Sequence, residues 1–109
     1  MAEDGSQNGG VMRAGQLEIR PDEHAALVDG HPLSLTVREF QLLIELASHE
    51  DRILTRAELY RSVWGGHLPE RDRSIDVYVS RLRRKLAEAI PDQRFIHTHA
   101  GIGYRFFPD

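Results

Sequence analysis

The sequence predicts an α+β domain in which a small antiparallel sheet precedes three helices and a terminal β-hairpin. Three observations predict this order. Two T-x-x-E helix-start signals lie at 36–39 and 55–58, a helix-periodic apolar stripe runs through 73–89, and two alternating segments near the C-terminus flank a glycine-containing turn. A chain of 109 residues suits one such domain, which buries roughly 60 to 70% of its unfolded surface.

The N-terminal part divides at about residue 14. Residues 1–14 are rich in Gly, Ser, Asn and Asp and offer little apolar surface, which predicts a disordered leader, an interdomain linker or a cloning remnant. The folded domain is therefore expected to span 15–109. Residues 16–20 and 25–29 have strand character, and Asp29-Gly30 is a hairpin turn signal. A small antiparallel sheet is expected to open the domain.

Two helices should follow, each with the same start signal. Thr36 and Glu39 form a capping box, which predicts a helix continuing to about Ser48. Thr55 and Glu58 repeat the signal, and the second helix should end near Gly65-Gly66. The expected core side of the first helix comprises Phe40, Leu43, Leu46 and Ala47.

The third helix, expected over 73–89, carries a local excess of cations in a chain of net charge -3. Six cations in 71–85 stand against only Asp72 and Asp76. On a helical wheel Ile75, Val79, Leu82 and Leu86 form one stripe, and Arg73, Val77, Ser80, Arg81 and Arg84 lie opposite. One face should be buried while the other offers cations. Beside a hairpin over 94–107, such a helix is typical of DNA recognition.

Several other classes of function have little support in the sequence. The absence of cysteine excludes disulfides and thiolate metal sites. No run approaches the ~18 apolar residues of a membrane span, and a cytoplasmic location is expected. His97 and His99 could share a face of one strand and bind a metal, but we favour surface and wing roles for them. No catalytic residue, metal or cofactor is predicted.

Four segments, LTVREFQLLIEL, LTRAELYRSVWG, RDRSIDVYVSRLRRKL and FIHTHAGIGYRF, occur in the order and spacing of a known family. Over about 16–108 the chain resembles the OmpR/PhoB family, the winged-helix DNA-binding domains of bacterial response regulators. The resemblance implies a winged helix-turn-helix fold: an N-terminal antiparallel sheet, a three-helix bundle and a C-terminal hairpin wing. It also implies that the third helix enters the major groove of duplex DNA to regulate transcription.

The resemblance assigns roles to individual residues. Arg81 matches the family's base-reading arginine, whose planar fork suits a guanine edge. The expected base-reading set is Val77, Ser80, Arg81 and Arg84, and the expected backbone-contacting set is Trp64, Arg73, Tyr78, Arg83, Thr98 and Tyr104. For Trp64 a core role of the ring is favoured, and it is compatible with an N–H contact to a phosphate. Tyr104 is expected to supply hairpin packing before any contact with a ligand. For Arg83 a structural pair with Asp76 or another acid is as open as a phosphate contact.

The wing turn departs from the family pattern. Its expected residues are His99, Ala100 and Gly101, and Ala100 stands where the family commonly carries an arginine that enters the minor groove. His99 could substitute only if its ring points outward. The connector between the second and third helices, which in this family can touch RNA polymerase, comprises His67, Leu68, Pro69, Glu70 and Arg71.

The leading hypothesis is sequence-specific binding of duplex DNA at tandem half-sites, by a domain that self-associates weakly until DNA brings copies together. The usual phosphorylatable receiver domain has no room in this chain. The alternative is a winged-helix protein-interaction module that contacts RNA polymerase or a fused regulatory domain. A position within a membrane-spanning regulator, or fusion to an enzyme, also remains open.

Overall fold

The computed structural model describes residues 10–109, so most of the predicted leader lies outside the described residues. The first sheet is antiparallel in the order β1 to β4, and the second has the order β5-β7-β6. The elements are β1 (Met12–Ala14), β2 (Leu17–Arg20), β3 (Ala25–Val28), β4 (His31–Pro32), α1 (Val37–Ser48), β5 (Ile53–Thr55), α2 (Arg56–Val63), α3 (Ser74–Ala89), β6 (Ile96–His99) and β7 (Gly103–Phe106). This is the predicted winged-helix arrangement. No helix in 10–109 is long and apolar enough to cross a bilayer.

The predicted boundary after residue 14 is wrong for the last part of the leader. Met12–Ala14 form a strand that pairs with Leu17–Ile19, with Met12 opposite Ile19 and Ala14 opposite Leu17. Ala14 is buried, whereas Arg13 points outward and pairs with Glu18. The alternation of apolar and polar residues at 12–14 is a strand pattern too short to stand out beside the glycine-rich residues before it.

Both predicted capping boxes are present. The Glu39 amide donates to Thr36 Oγ1 at 3.2 Å, and Thr36 N–H donates to Glu39 Oε1 at 2.9 Å. The box at Thr55 and Glu58 has matching distances of 3.1 and 2.9 Å. Each cap contributes about 1 kcal/mol to helix stability, and together they fix where α1 and α2 begin. Leu42 is fully buried in addition to the predicted core positions, and Ala47 is only half-buried.

The apolar stripe of α3 is buried as predicted. Ile75, Val79, Leu82 and Leu86 are each at most 2% exposed. Full burial of one such side chain contributes about 1.5–3 kcal/mol, so rotation of α3 about its axis would be strongly unfavourable. The burial of this stripe therefore determines which side chains of α3 face solvent.

The wing belongs to a three-stranded sheet that the sequence did not predict in full. Strand β5 pairs with β7, so that Leu54 lies opposite Tyr104 and Thr55 opposite Gly103. A Cβ on Gly103 would lie 2.0 Å from the backbone oxygen of Leu54. Only glycine permits this approach of the two strands, which anchors the wing to the start of α2.

A buried ion pair joins α1 to α3. Lys85 Nζ lies 2.6 Å from Glu39 Oε1, and the Glu39 side chain is 2% exposed. Burial alone would raise the pKa of Glu39, but hydrogen bonds from Lys85 and from the Thr36 amide outweigh it and lower that pKa. The carboxylate of Glu39 therefore both caps the start of α1 and holds α3 in place through Lys85.

A second carboxylate, on Asp76, joins α2, α3 and β7. It lies 2.8 Å from Arg56 Nε and 3.4 Å from Arg73 Nε, and it accepts a hydrogen bond from the Tyr104 hydroxyl. Burial alone would raise the pKa of Asp76, but the hydrogen bonds from Tyr104 and Arg56 outweigh it and lower that pKa. Burial and the neighbouring carboxylate raise the pKa of Tyr104. The network fixes the wing against the first turn of α3.

Replacing Glu39 by Gln should destabilise the fold, because Gln still accepts the capping hydrogen bond but leaves Lys85 without its counter-charge. We expect the free energy of unfolding to fall by about 1–3 kcal/mol. Chemical denaturation measures this change. The matched control is Glu58→Gln, which keeps the other capping box and weakens only the solvent-exposed pair with Arg52, so it should cost at most about 0.5 kcal/mol. Equal losses in both variants would contradict a special role for the buried pair.

Acid should weaken the fold partly through Asp76. A carboxyl whose pKa is lower in the folded state contributes stability above its unfolded pKa and loses it as pH falls through the folded value. The free energy of unfolding should therefore decline below about pH 4, and Asp76→Asn should flatten that decline while lowering stability at neutral pH. Urea denaturation at a series of pH values tests this. An acid dependence identical to that of the parent would show that Asp76 is not coupled to folding.

Candidate nucleic-acid interface

The outward face of α3 carries the residues that the sequence placed there. Val77, in the first turn of α3, is 42% exposed. The exposed side chains on this face are Arg73, Val77, Ser80, Arg81 and Arg84. The surface formed by these five side chains is called the α3 face below.

Arg81 and Arg84 are the least committed cations of the α3 face. Neither forms an ion pair with a carboxylate of residues 10–109, so their guanidinium groups keep their donors for a partner. The Arg81 guanidinium lies 5.2 Å from the centre of the Tyr78 ring. An arginine held in this way offers a planar set of donors suited to a guanine edge or a phosphate.

Acidic groups at the start of α3 restrain its first turn. Arg73 pairs with Asp76 yet keeps a side chain 79% exposed, so it remains accessible to a phosphate. Asp72 Oδ1 accepts a hydrogen bond from the Ser74 amide at 2.7 Å. Hydrogen bonds from Ser74 lower the pKa of Asp72 and keep it ionised. Asp72 thus satisfies the amide of the first residue of α3, and among residues 10–109 it forms no ion pair with an arginine.

Arg83 is bound to the wing rather than to an acid. Its Nη1 donates to Thr98 Oγ1 at 2.8 Å and to the backbone oxygen of Ile96 at 3.3 Å. The guanidinium also lies 5.7 Å from the centre of the Tyr104 ring. Of the two roles that the sequence left open for Arg83, a pair with Asp76 or another acid is not formed among residues 10–109. Arg83 instead joins α3 to β6 through Thr98, which remains exposed.

Tyr104 is 4% exposed, and its hydroxyl is used by Asp76. Its burial favours the core role over direct contact with a DNA phosphate. Tyr104 therefore contributes to the α3 face indirectly, because it joins Asp76 of α3 to β7.

Trp64 and Tyr78 form an aromatic cluster beside the α3 face. Trp64 stacks on Tyr60 with ring centres 5.5 Å apart and meets Tyr78 with ring centres 5.3 Å apart at 67°. Both Trp64 and Tyr78 are half-buried and pack against the core. Packing and partner contact are therefore compatible for each, as the sequence suggested for Trp64.

The wing turn is apolar at its tip. Ala100 and Gly101 are exposed, and Ile102, whose amide closes the turn onto the His99 carbonyl at 2.9 Å, is 53% exposed. The Nε2 atom of His99 is buried and has no hydrogen-bond partner in 10–109. His99 therefore does not present this nitrogen as the outward substitute for an arginine. The predicted wing residues lie together, but their polar contribution is small.

The connector between α2 and α3 is accessible. His67, Pro69, Glu70 and Arg71 are exposed, and Leu68 is half-buried. Arg71 adopts a positive φ of 63°, and the Asp72 amide donates to the Pro69 carbonyl at 3.1 Å. A turn thus presents these side chains next to the start of α3.

Histidines do not form a metal centre in the described part of the chain, which holds no group of three or more His, Asp or Glu side chains suited to one. His97 Nε2 instead lies 2.8 Å from the Phe107 carbonyl oxygen.

Sequence reasoning missed the contacts that support the α3 face. Arg56 and Tyr104 lie 20 and 28 positions from Asp76 in the sequence, and no local pattern indicates that they meet it. The contact of Tyr78 with Arg81 could have been found, because positions i and i+3 are neighbours on a helix.

Comparisons with known proteins agree with this architecture. The family described as "Transcriptional regulatory protein, C terminal" matches residues 30–106. The phosphate regulon transcriptional regulatory protein PhoB of Pseudomonas aeruginosa is 35% identical over 95 residues, which cover 87% of this chain and 41% of that protein. The chain spans less than half the length of such curated relatives.

Two solved structures have closely similar folds. The DNA-binding domain of CpxR from E. coli aligns with a TM-score of 0.81 at 34% identity, covering 89% of this chain and 95% of that one. The Klebsiella pneumoniae RstA DNA-binding domain, in complex with the RstA box, also gives 0.81 at 33% identity, covering 91% and 98%. Together with the family match, these likenesses show that the chain belongs to the OmpR/PhoB-type family of C-terminal domains of transcriptional regulatory proteins.

Proposed function

We propose that this domain binds duplex DNA sequence-specifically and thereby regulates transcription in the bacterial cytoplasm. The observation that carries the proposal is the α3 face, a cationic helix surface oriented outward by complete burial of the opposite stripe. In a chain of net charge -3, this asymmetry favours a polyanion at one face and not over the whole surface.

Related structures support DNA as the partner. The RstA domain, which shares the fold at a TM-score of 0.81, was solved in complex with the RstA box. The DNA-binding domain of AdeR, at 25% identity and a TM-score of 0.75, was solved in complex with an intercistronic region. The fold that presents the α3 face in this chain is similar to both of these domains.

We assign the roles within the interface by exposure and available donors. Arg81 offers an uncommitted guanidinium group for a guanine edge, and Arg84 offers one that we propose contacts a base edge and the adjoining phosphate together. Exposed Val77 and Ser80 suit a thymine methyl group and a base edge. We propose that phosphates around the helix are contacted by Trp64, Arg73, Tyr78 and Thr98. Arg83 and Tyr104 support these groups through their bonds to Thr98 and Asp76. The wing turn adds an apolar contact at most, since Ala100 replaces the arginine expected there.

The domain is proposed to bind tandem half-sites about one helical turn apart, with weak self-association before DNA is present. A receiver or other regulatory domain would belong to a longer protein, because the chain spans less than half of its curated relatives. The exposed connector, His67 to Arg71, is the proposed contact for RNA polymerase. If the domain were only a protein-interaction module, the connector would bind its partner while no DNA sequence was preferred.

The first experiment is selection of binding duplexes from a random pool, followed by fluorescence anisotropy with the recovered sequence. Recovery of a repeated half-site that binds more tightly than a scrambled duplex is the expected result. Binding that is equal for all duplexes would overturn the proposal and favour the interaction module.

Removing Arg81 should flatten base preference, because its planar donors are proposed to read a base edge. With Arg81→Ala we expect the preference for the selected over a scrambled duplex to fall by about 1–3 kcal/mol. Arg84→Ala should weaken both duplexes more evenly. Arg13→Ala removes a cation of β1 that pairs with Glu18, and it should change neither the affinity for the selected duplex nor that for the scrambled one. Equal loss of preference in the two α3 variants would sink this division of roles.

Salt should weaken binding in proportion to the phosphates contacted. If four to six phosphates are neutralised, log affinity should fall with log salt at a slope of about -4 to -5. Anisotropy titrations at five or more salt concentrations give the slope, and Arg73→Ala should reduce its magnitude by about one. A slope near zero would show that phosphates do not supply the affinity.

A further inference from the structure

Among residues 10–109, the Tyr78 ring is the neighbour that can orient the Arg81 guanidinium. The group lies 5.2 Å from the centre of the Tyr78 ring, which is near enough for cation–π attraction. Within residues 10–109, Arg81 has neither an ion pair nor a side-chain hydrogen bond, in contrast to Arg83, which is bound to Thr98 and Ile96. The Tyr78 ring is therefore what restricts the Arg81 side chain.

The Tyr78 ring is itself held in place. Its centre lies 5.3 Å from that of Trp64 at an interplanar angle of 67°, and Trp64 stacks on Tyr60. On the α1 side, Arg38 lies 5.0 Å from the centre of the Trp64 ring and donates a hydrogen bond to the Val63 carbonyl. The contacts thus run from α1 through the end of α2 to the middle of α3.

An aromatic ring has one advantage over a carboxylate as the neighbour of a base-reading arginine. A carboxylate would accept hydrogen bonds from the guanidinium and occupy the donors that a base edge requires. A ring attracts the cation through its face and accepts none of those N–H groups along the guanidinium plane. The side chain loses conformational freedom before the partner arrives, while its donors remain available.

We propose that the Tyr78 ring, fixed by Trp64, is a positioning group that preorganises Arg81 for base recognition. The proposal rests on the proposed DNA-binding function and adds a residue that sets its specificity without touching the base. The Tyr78 hydroxyl has no hydrogen-bond partner within residues 10–109, so it can contact a phosphate independently of the role of the ring.

Two substitutions separate the ring from the hydroxyl. Tyr78→Phe removes only the hydroxyl, and Tyr78→Leu removes the ring while keeping an apolar side chain. Anisotropy is measured with the selected and the scrambled duplex for the parent, both variants, Arg81→Ala, and Arg81→Ala combined with Tyr78→Leu. Thermal unfolding of each variant establishes that it is folded under the assay conditions.

In Tyr78→Leu the ratio of the two affinities should fall about twofold to fivefold, the range that a solvent-exposed cation–π contact supplies. Tyr78→Phe should keep the parent's ratio, even if the affinity for both duplexes drops together. In the Arg81→Ala background, Tyr78→Leu should cause no further loss of preference. A purely structural role of Tyr78 would lower both affinities and leave their ratio unchanged, which would overturn the proposal.

A second measurement needs neither DNA nor a variant. In the NMR spectrum of the free parent chain, the ring current of Tyr78 should shift the Arg81 side-chain protons upfield of those of Arg84. Unshifted Arg81 protons would overturn the proposal even if Tyr78→Leu fails to fold. The two proposals can be refuted separately. If the parent shows no preference between the duplexes, the DNA-binding function is refuted. If the parent prefers the selected duplex and Tyr78→Leu keeps the same affinity ratio, only the role of the ring is refuted.

Discussion

Helix α3 must bury one face completely while its cations remain in solvent, and the other elements are arranged around this constraint. Leu82 and Val79 have no exposed surface, although Arg81 and Arg84 on the same helix are exposed. Apolar burial alone fixes the rotation of α3 about its axis, but it does not fix the position of the wing or of α1 relative to that axis. Two carboxylates fix these positions. Glu39 of α1 holds Lys85, and Asp76, at the other end of α3, joins Arg56 and Tyr104.

The contacts that α3 makes with the other elements divide its cations between two uses. Lys85 is neutralised by Glu39, and Arg83 is bound to the wing strand through Thr98, so both stabilise the arrangement of elements. Arg81 and Arg84 form no ion pair with a carboxylate in 10–109 and project from the finished surface. The sequence of the helix alone does not distinguish these four cationic side chains from one another. The structure distinguishes the cations that build the interface from those that remain for a partner, and this distinction explains how a chain of net charge -3 offers a polyanion a binding face.

Most of the fold was predictable because its signals are local. The capping boxes at Thr36 and Thr55 and the stripe from Ile75 to Leu86 depend on neighbours within one helix, and the structure confirms them. Strand β1 was missed because three residues beside a glycine-rich segment give too short an alternation. The supports of the candidate site were missed for another reason. Asp76 meets Arg56 and Tyr104 only after the chain has folded, and nothing in the spacing of these residues indicates contact. The exposed face of α3 could be predicted from its hydrophobic periodicity, whereas the contacts that support it form only in the tertiary structure.

We propose that the α3 face reads base edges in the major groove through Arg81. The most direct measurement replaces each guanine of the selected half-site by 7-deazaguanine, which lacks the N7 acceptor in the major groove but still pairs with cytosine. We expect one such replacement to weaken binding of the parent by about tenfold or more and to have no effect on Arg81→Ala. Parent affinity that is unchanged at every guanine, or an equal loss in the parent and in Arg81→Ala, would contradict it.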